Sequence, residues 1–172
     1  RVAVNVSATQ LEADDFVARV TDALAYTRLP PHLLEIEVTE SMLVREVQHN
    51  RDTLAAIRDL GVNIALDDFG TGYSSLAYLR NFTFDTLKID RLFTSGLTEE
   101  SHADVLVRAI IAIGEELGHD VIAEGIETQA QKAALINLGC SRMQGYLFGQ
   151  PMPPKELEMM LQPTKWLVSQ AV

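Results

Sequence analysis

Basic residues are scarce in this 172-residue chain: 14 Lys and Arg stand against 24 Asp and Glu, a formal net charge of −10. That balance excludes the proteins that bind nucleic-acid polymers by displacing counterions from the phosphate backbone. Cysteine is scarcer still. The single Cys140 can close no internal disulfide and build no zinc cluster, so nothing marks an oxidising compartment and a cytoplasmic location is expected. No apolar run reaches the roughly 18 residues a membrane helix requires. No charged-then-apolar leader opens the chain, so no membrane contact is expected of this domain, though it could be the cytoplasmic part of a larger, anchored protein. Linkers, low-complexity segments and charge blocks are also missing, which leaves no place for a second domain within these residues. What is there, with 47% hydrophobic residues, has the composition of a folded globular domain.

Short β-rich runs alternate with stretches of helical period, the signature of parallel βα units. The pattern predicts strands over Val2 to Val6, Leu34 to Thr39, Val62 to Leu66, Thr86 to Asp90, Asp120 to Ala123 and Arg142 to Leu147. Between them, apolar residues recur at helical spacing: Phe16, Val20 and Leu24; Leu54, Ile57 and Leu60; Leu106, Ile110, Ile113 and Leu117. The punctuation agrees. Gly61, Gly118 and Gly139 follow the last apolar residue of a predicted helix, where a left-handed residue ends it. Thr98 and Thr128 stand at N-cap positions, Pro30-Pro31 stops the first helix, and Pro153-Pro154 opens a last short one.

Six βα units fit this pattern. A closed (β/α)8 barrel takes about 250 residues, and the chain opens directly on a strand with no cap or turn before it. The expected fold is therefore α/β, TIM-barrel-like, with residues 1–172 forming one domain whose first two βα units lie upstream. An open doubly wound sheet is the competing reading, since six strands can form one unaided.

Every predicted strand carries a polar residue at or near its C-terminal end: Asn5, Glu37, Asp67 with Asp68, Lys88, Glu124 and Gln144. They fall about 28 residues apart on average, close to the roughly 31 per unit of a 250-residue barrel. Any one carboxylate at a strand end reads equally well as a solvated loop residue or a helix cap. Six polar positions in register do not, because in a barrel they converge on one mouth. Glu37, Asp67, Asp68 and Glu124 could not all stay ionised at close range without a cation among them. With oxygen donors alone, the expected ions are hard ones, Mg²⁺ or Mn²⁺. His32, His49, His102 and His119 fall in predicted helices or loops and read as surface or satisfied histidines. Lys88 is open to two readings: an edge-strand charge, or a group that orients water or neutralises charge developing on a phosphate oxygen. The Asp68-Phe69-Gly70 triplet is kinase-like by accident, since no Gly-rich loop, Val-Ala-Ile-Lys strand or His-Arg-Asp loop accompanies it.

Taken in order, Asn5-Val6-Ser7, Glu37-Val38-Thr39-Glu40-Ser41, Asp67-Asp68-Phe69-Gly70-Thr71-Gly72-Tyr73-Ser74-Ser75, Leu87-Lys88-Ile89-Asp90, Ala123-Glu124-Gly125-Ile126-Glu127-Thr128 and Gln144-Gly145-Tyr146 resemble the EAL-domain cyclic-di-GMP phosphodiesterases of bacterial signalling. The resemblance implies hydrolysis of cyclic-di-GMP to the linear dinucleotide pGpG with two Mg²⁺ or Mn²⁺ ions. It implies that Asn5, Glu37 and Asp67 hold the first ion, that Asp67 bridges to a second, and that Asp68 serves the second. Glu124 is then general base or second-metal partner, while Lys88 and Gln144 hold the attacking water. Glu40 and Glu127 become supporting glutamates, Glu40 steadying the loop from Phe69 to Ser75 through which family members dimerise. A homodimer and upstream sensory or GGDEF-type domains are the partners this implies. The Glu-Ala-Leu tripeptide that names the family, with its metal-binding glutamate and a nearby substrate-binding arginine, belongs to upstream strands. Glu12-Ala13-Asp14 is a lookalike at the wrong place. A module that binds cyclic-di-GMP without hydrolysing it is the alternative function, and an inert module of a larger protein is the blandest one.

Overall fold

The computed structural model describes residues 1–43, 47–71, 82–97 and 103–161. Its strands are β1 (Val2–Asn5), β2 (Leu34–Thr39), β3 (Asn63–Phe69), β4 (Thr86–Ile89), β5 (Asp120–Ala123) and β6 (Arg142–Met143). All pair in parallel, in the order β1-β2-β3-β4-β5-β6. That sequential order decides between the two expected folds. A doubly wound sheet reverses direction at a switch point, whereas each strand here lies beside its predecessor, as in a (β/α)8 barrel. The six strands form a partial barrel wall with helices along its outer face.

The helices are α1 (Ala8–Leu11), α2 (Phe16–Thr27), α3 (Glu40–Leu43), α4 (Val47–Asp59), α5 (Arg91–Thr94), α6 (Ala103–Glu116), α7 (Gln129–Asn137) and α8 (Pro154–Leu161), with a 3₁₀ turn at Pro31–Leu33. Phe16, Val20 and Leu24 of α2 are buried at i, i+4 and i+8, and Leu54 and Ile57 are buried at i and i+3 on α4. They pack on the outward residues Ile36, Val38, Ile64, Leu66, Leu87 and Ile89, which belong to one continuous core. In α6, Val107, Ile110 and Ile111 are buried while Val105 and Leu106 stay exposed. The helix is thus covered on its inward stripe alone. Among the described residues, no helix is long and apolar enough to cross a membrane.

Most predicted boundaries hold, and the exceptions have local causes. Ser7 ends β1 one residue early because it caps α1 in a reciprocal capping box with Gln10. Predicted strand Arg142 to Leu147 pairs only as far as Met143. Beyond it the chain folds back, with Gln144 O accepting from Ile126 N at 3.1 Å and Leu147 N donating to Ile126 O at 2.9 Å. Gly145 permits this approach: a Cβ there would overlap the main-chain nitrogen and oxygen of Ile126. Gly145→Ala should therefore lower stability by about 3 kcal/mol, the upper range for overpacking, read as a fall in urea midpoint. The N-cap expected at Thr98 lies outside the described residues.

Cys140 is 3% exposed, with its Sγ 3.2 Å from Arg142 O. Burial pushes its thiol above the ordinary cysteine range. The folded protein is expected to leave this thiol unmodified by iodoacetamide at pH 8, and urea-unfolded protein to take up one equivalent. Mass spectrometry reads both, and labelling of the folded form would contradict the burial.

Candidate active site

Strands two apart in a flat sheet lie nearly 10 Å from each other, yet side chains of β2 and β4 meet here across β3. Curvature and the small Ala65 between them, which is fully buried, make this possible. Two layers result on the concave face. The first joins Arg1 to Glu35 at 2.7 Å and Glu35 to the Thr86 hydroxyl at 2.8 Å. The second lies one pleat nearer the C-terminal ends. There the Lys88 ammonium contacts Glu37 at 2.8 Å, Asp67 at 3.2 Å and Glu124 at 2.8 Å.

The edge-strand reading of Lys88 does not hold: it is an interior cation on a central strand, 4% exposed. Burial alone would depress its pKa, but hydrogen bonds to Glu124 and Glu37 and the charges of Glu124 and Asp67 outweigh this and push it up. Burial also raises the Glu124 carboxyl, against the opposing pull of Lys88. A carboxyl held above its ordinary range is closer to the basicity that proton transfer near neutral pH needs.

The Asp67-Asp68 doublet owes its placement to an irregularity in β3. Leu66 pairs with Leu87 and Phe69 pairs with Ile89, so two aspartates stand opposite the single Lys88. This is a β-bulge. Asp68 absorbs it with φ of 54°, a left-handed conformation that aspartate tolerates better than most residues. The extra residue returns Phe69 to the outer apolar face, where it is buried. The Asp68 amide donates to Asp67 Oδ1 at 3.0 Å. Burial first, then the negative charges of Asp67 and Asp90, raises the Asp68 carboxyl.

Glu40, at the start of α3, is 4% exposed and accepts a 3.3 Å hydrogen bond from Gly70 N. It holds the first turn after β3; Gly72, Tyr73, Ser74 and Ser75 lie outside the described residues. Glu127 pairs with Arg91 at 2.8 Å, a largely solvated contact of small energetic weight. Asn5 stands beside Glu37 in register at the exposed strand β1. Gln144 is fixed through its backbone, its amide donating to Ala123 O at 2.8 Å, and its side chain is exposed. Lys88, Glu37, Asp67 and Glu124 are therefore brought into contact, while Asn5 and Gln144 stand at the margins.

Two acids escaped the sequence reading. Glu35 is buried in the first layer, and its signal is the i, i+2 spacing that puts it on one face with Glu37. Asp90 caps α5, accepting from Leu92 N at 2.8 Å, and adds negative charge beside Asp68. An aspartate immediately after a strand and before a helix start is legible as such a cap.

Among the described residues, no three His, Cys, Asp or Glu side chains stand with ready-made metal spacing; the carboxylates turn toward Lys88 instead. Their chemistry nonetheless fits a hard divalent ion, since the donors are all oxygen and the charges of Asp67 and Asp90 bear on the Asp68 carboxyl against the opposing charge of Lys88.

A family model described as the EAL domain matches residues 1–151. The signaling protein YkoW of Bacillus subtilis (strain 168) is 42% identical over 160 residues, which are 93% of this chain and 20% of that protein. The solved PaMucR phosphodiesterase, in complex with c-di-GMP, superposes with a TM-score of 0.86 at 43% identity, covering 91% of this chain and 64% of that one. Klebsiella pneumoniae BlrP1, solved with manganese and cyclic di-GMP, gives a TM-score of 0.82 at 32% identity, covering 88% of this chain and 39% of that one. The chain spans about a fifth of the length of YkoW.

Proposed function

This chain belongs to the EAL-domain family, and from that premise we propose that it carries the catalytic centre of a cyclic-di-GMP phosphodiesterase that yields linear pGpG. The single observation that supports this most strongly is the contact of Lys88 with Glu37, Asp67 and Glu124 at the C-terminal ends of the strands. Barrel enzymes place their reacting groups at that face.

In this reading Asn5, Glu37 and Asp67 would hold one Mg²⁺ or Mn²⁺, and Asp68 and Glu124, with Asp67, would serve a second. Two such ions, when bound, activate water and neutralise the attacking and leaving oxygens of an in-line displacement. Glu124 accepts the proton of the attacking water, a role its raised pKa favours. Lys88, kept protonated by its three carboxylates, orients that water and offsets charge gathering on the phosphate. Gln144 supplies a further hydrogen bond at the mouth. The β3 bulge sets both Asp67 and Asp68 opposite Lys88, so that both carboxylates would be available to such ions.

Incubation of the full-length protein with cyclic-di-GMP and Mg²⁺, followed by chromatography, tests this proposal. Appearance of the linear dinucleotide is expected. Undiminished cyclic-di-GMP that nevertheless binds in calorimetry would overturn the enzyme in favour of a receptor.

A further inference from the structure

Glu124 sits at the point where β5 ends and its loop begins, so its side chain is only as well placed as the peptide units on either side. The preceding unit is secured by the sheet: Glu124 N donates to Ile89 O at 3.0 Å. The following unit is beyond the ladder. Its carbonyl accepts instead from the hydroxyl of Thr94 at 2.5 Å, and Thr94 is fully buried at the end of α5. Thr94 in turn is gripped by Gln131, whose Nε2 donates to Thr94 O at 3.1 Å. Gln131 is 7% exposed, and its Oε1 accepts from both Glu127 N and Thr128 N at 2.9 Å. One side chain thereby ties the far end of the Glu124 loop to the segment that follows the Lys88 strand.

A helix-capping role accounts for only half of this. The Thr128-Gln131 pair is a capping box, and needs Gln131 Oε1 alone. The reach of Nε2 to Thr94 O satisfies the last carbonyl of α5, but the reach of the Thr94 hydroxyl to Glu124 O lies outside both helices. The two contacts join β4 and its following helix to the β5 loop, the two elements that must keep Lys88 and Glu124 at 2.8 Å. Gly125 completes the fit, with φ of 67° and the Arg91 side chain packed where a Cβ would stand. Active-site groups need holding to within about half an ångström, and misplacement by about 1 Å can cost two orders of magnitude in rate.

We infer that Thr94 and Gln131 are positioning residues that fix the Glu124 loop against Lys88 through the Thr94 hydroxyl. Their effect on rate presumes that Glu124 acts in the hydrolytic centre proposed above; their effect on the loop does not. The test uses Thr94→Val, which removes the hydroxyl at nearly constant volume, and Thr94→Ser, which keeps it, in the full-length protein. Hydrogen–deuterium exchange should accelerate in the segment 124–128 of Thr94→Val and return toward wild type in Thr94→Ser. With cyclic-di-GMP, kcat should fall about tenfold or more in Thr94→Val with KM little changed, and recover in Thr94→Ser. Wild-type exchange across 124–128 in Thr94→Val would overturn the inference, whatever the turnover. Accelerated exchange in a protein whose wild type makes no product would uphold the loop's anchoring and refute the enzymatic reading instead. Accelerated exchange with wild-type kcat would show that the anchor does not govern the reaction, and would overturn its catalytic part.

Discussion

Lys88→Met is expected to destabilise the domain by about 3 kcal/mol and to lower turnover by about two orders of magnitude or more. The stability loss follows from burial: removing one partner of a buried ion pair leaves the remaining charge without compensation. Here one ammonium faces three carboxylates, and Glu37 and Asp67 are themselves buried. The loss of rate follows from position, since deleting one preorganised donor aimed at developing charge typically costs two to three orders of magnitude. The two effects separate on addition of Mn²⁺. A divalent ion bound to the same carboxylates stabilises the folded state by mass action, so the melting temperature of Lys88→Met should rise with Mn²⁺ while turnover stays low. Urea midpoints and product chromatography measure the pair. A variant as stable as wild type would show that the carboxylates do not depend on Lys88.

Glu124→Gln should retain the fold and lose turnover by on the order of 10² to 10⁴, the range of general acid–base contributions. Glutamine is nearly isosteric and keeps an oxygen that the Lys88 ammonium can reach, so the packing around β5 is undisturbed. What it lacks is the basic carboxylate, whose pKa burial raises. Binding of cyclic-di-GMP should persist in calorimetry, which separates loss of chemistry from loss of substrate. A rate within threefold of wild type would remove Glu124 from its assigned role.

Much of the fold was legible in the sequence because the wall strands announce themselves by apolar runs and the helices by their spacing. Ile64 to Leu66 and Leu87 to Ile89 are buried and read as continuous β-rich segments. The polar interruptions at Lys88, Asp67 and Glu124 were equally visible, and their recurrence at successive strand ends is what set them apart from solvated loop acids and edge charges. Less visible was anything that depends on how strands meet. The bulge at Asp67-Asp68 arises from pairing with β4, and no local preference distinguishes it from a strand that simply ends. The early end of β6 comes from the fold-back of Gln144 to Leu147 onto Ile126, a contact between segments some 20 residues apart along the chain. Thr94 and Gln131 escaped for the same reason: a threonine in a short helix and a glutamine in a helix's first turn acquire meaning only when a third element brings them together.

Metal dependence tests the central claim most directly. The full-length protein, stripped with a chelator and assayed by chromatography with cyclic-di-GMP, should form no linear dinucleotide. Adding back Mn²⁺ should restore product with a dependence on more than one ion, and Asp67→Asn, which weakens the shared ligand, should shift that dependence to higher concentration. Product formed at an unchanged rate in excess chelator would contradict a carboxylate-bound, two-metal centre at these strand ends.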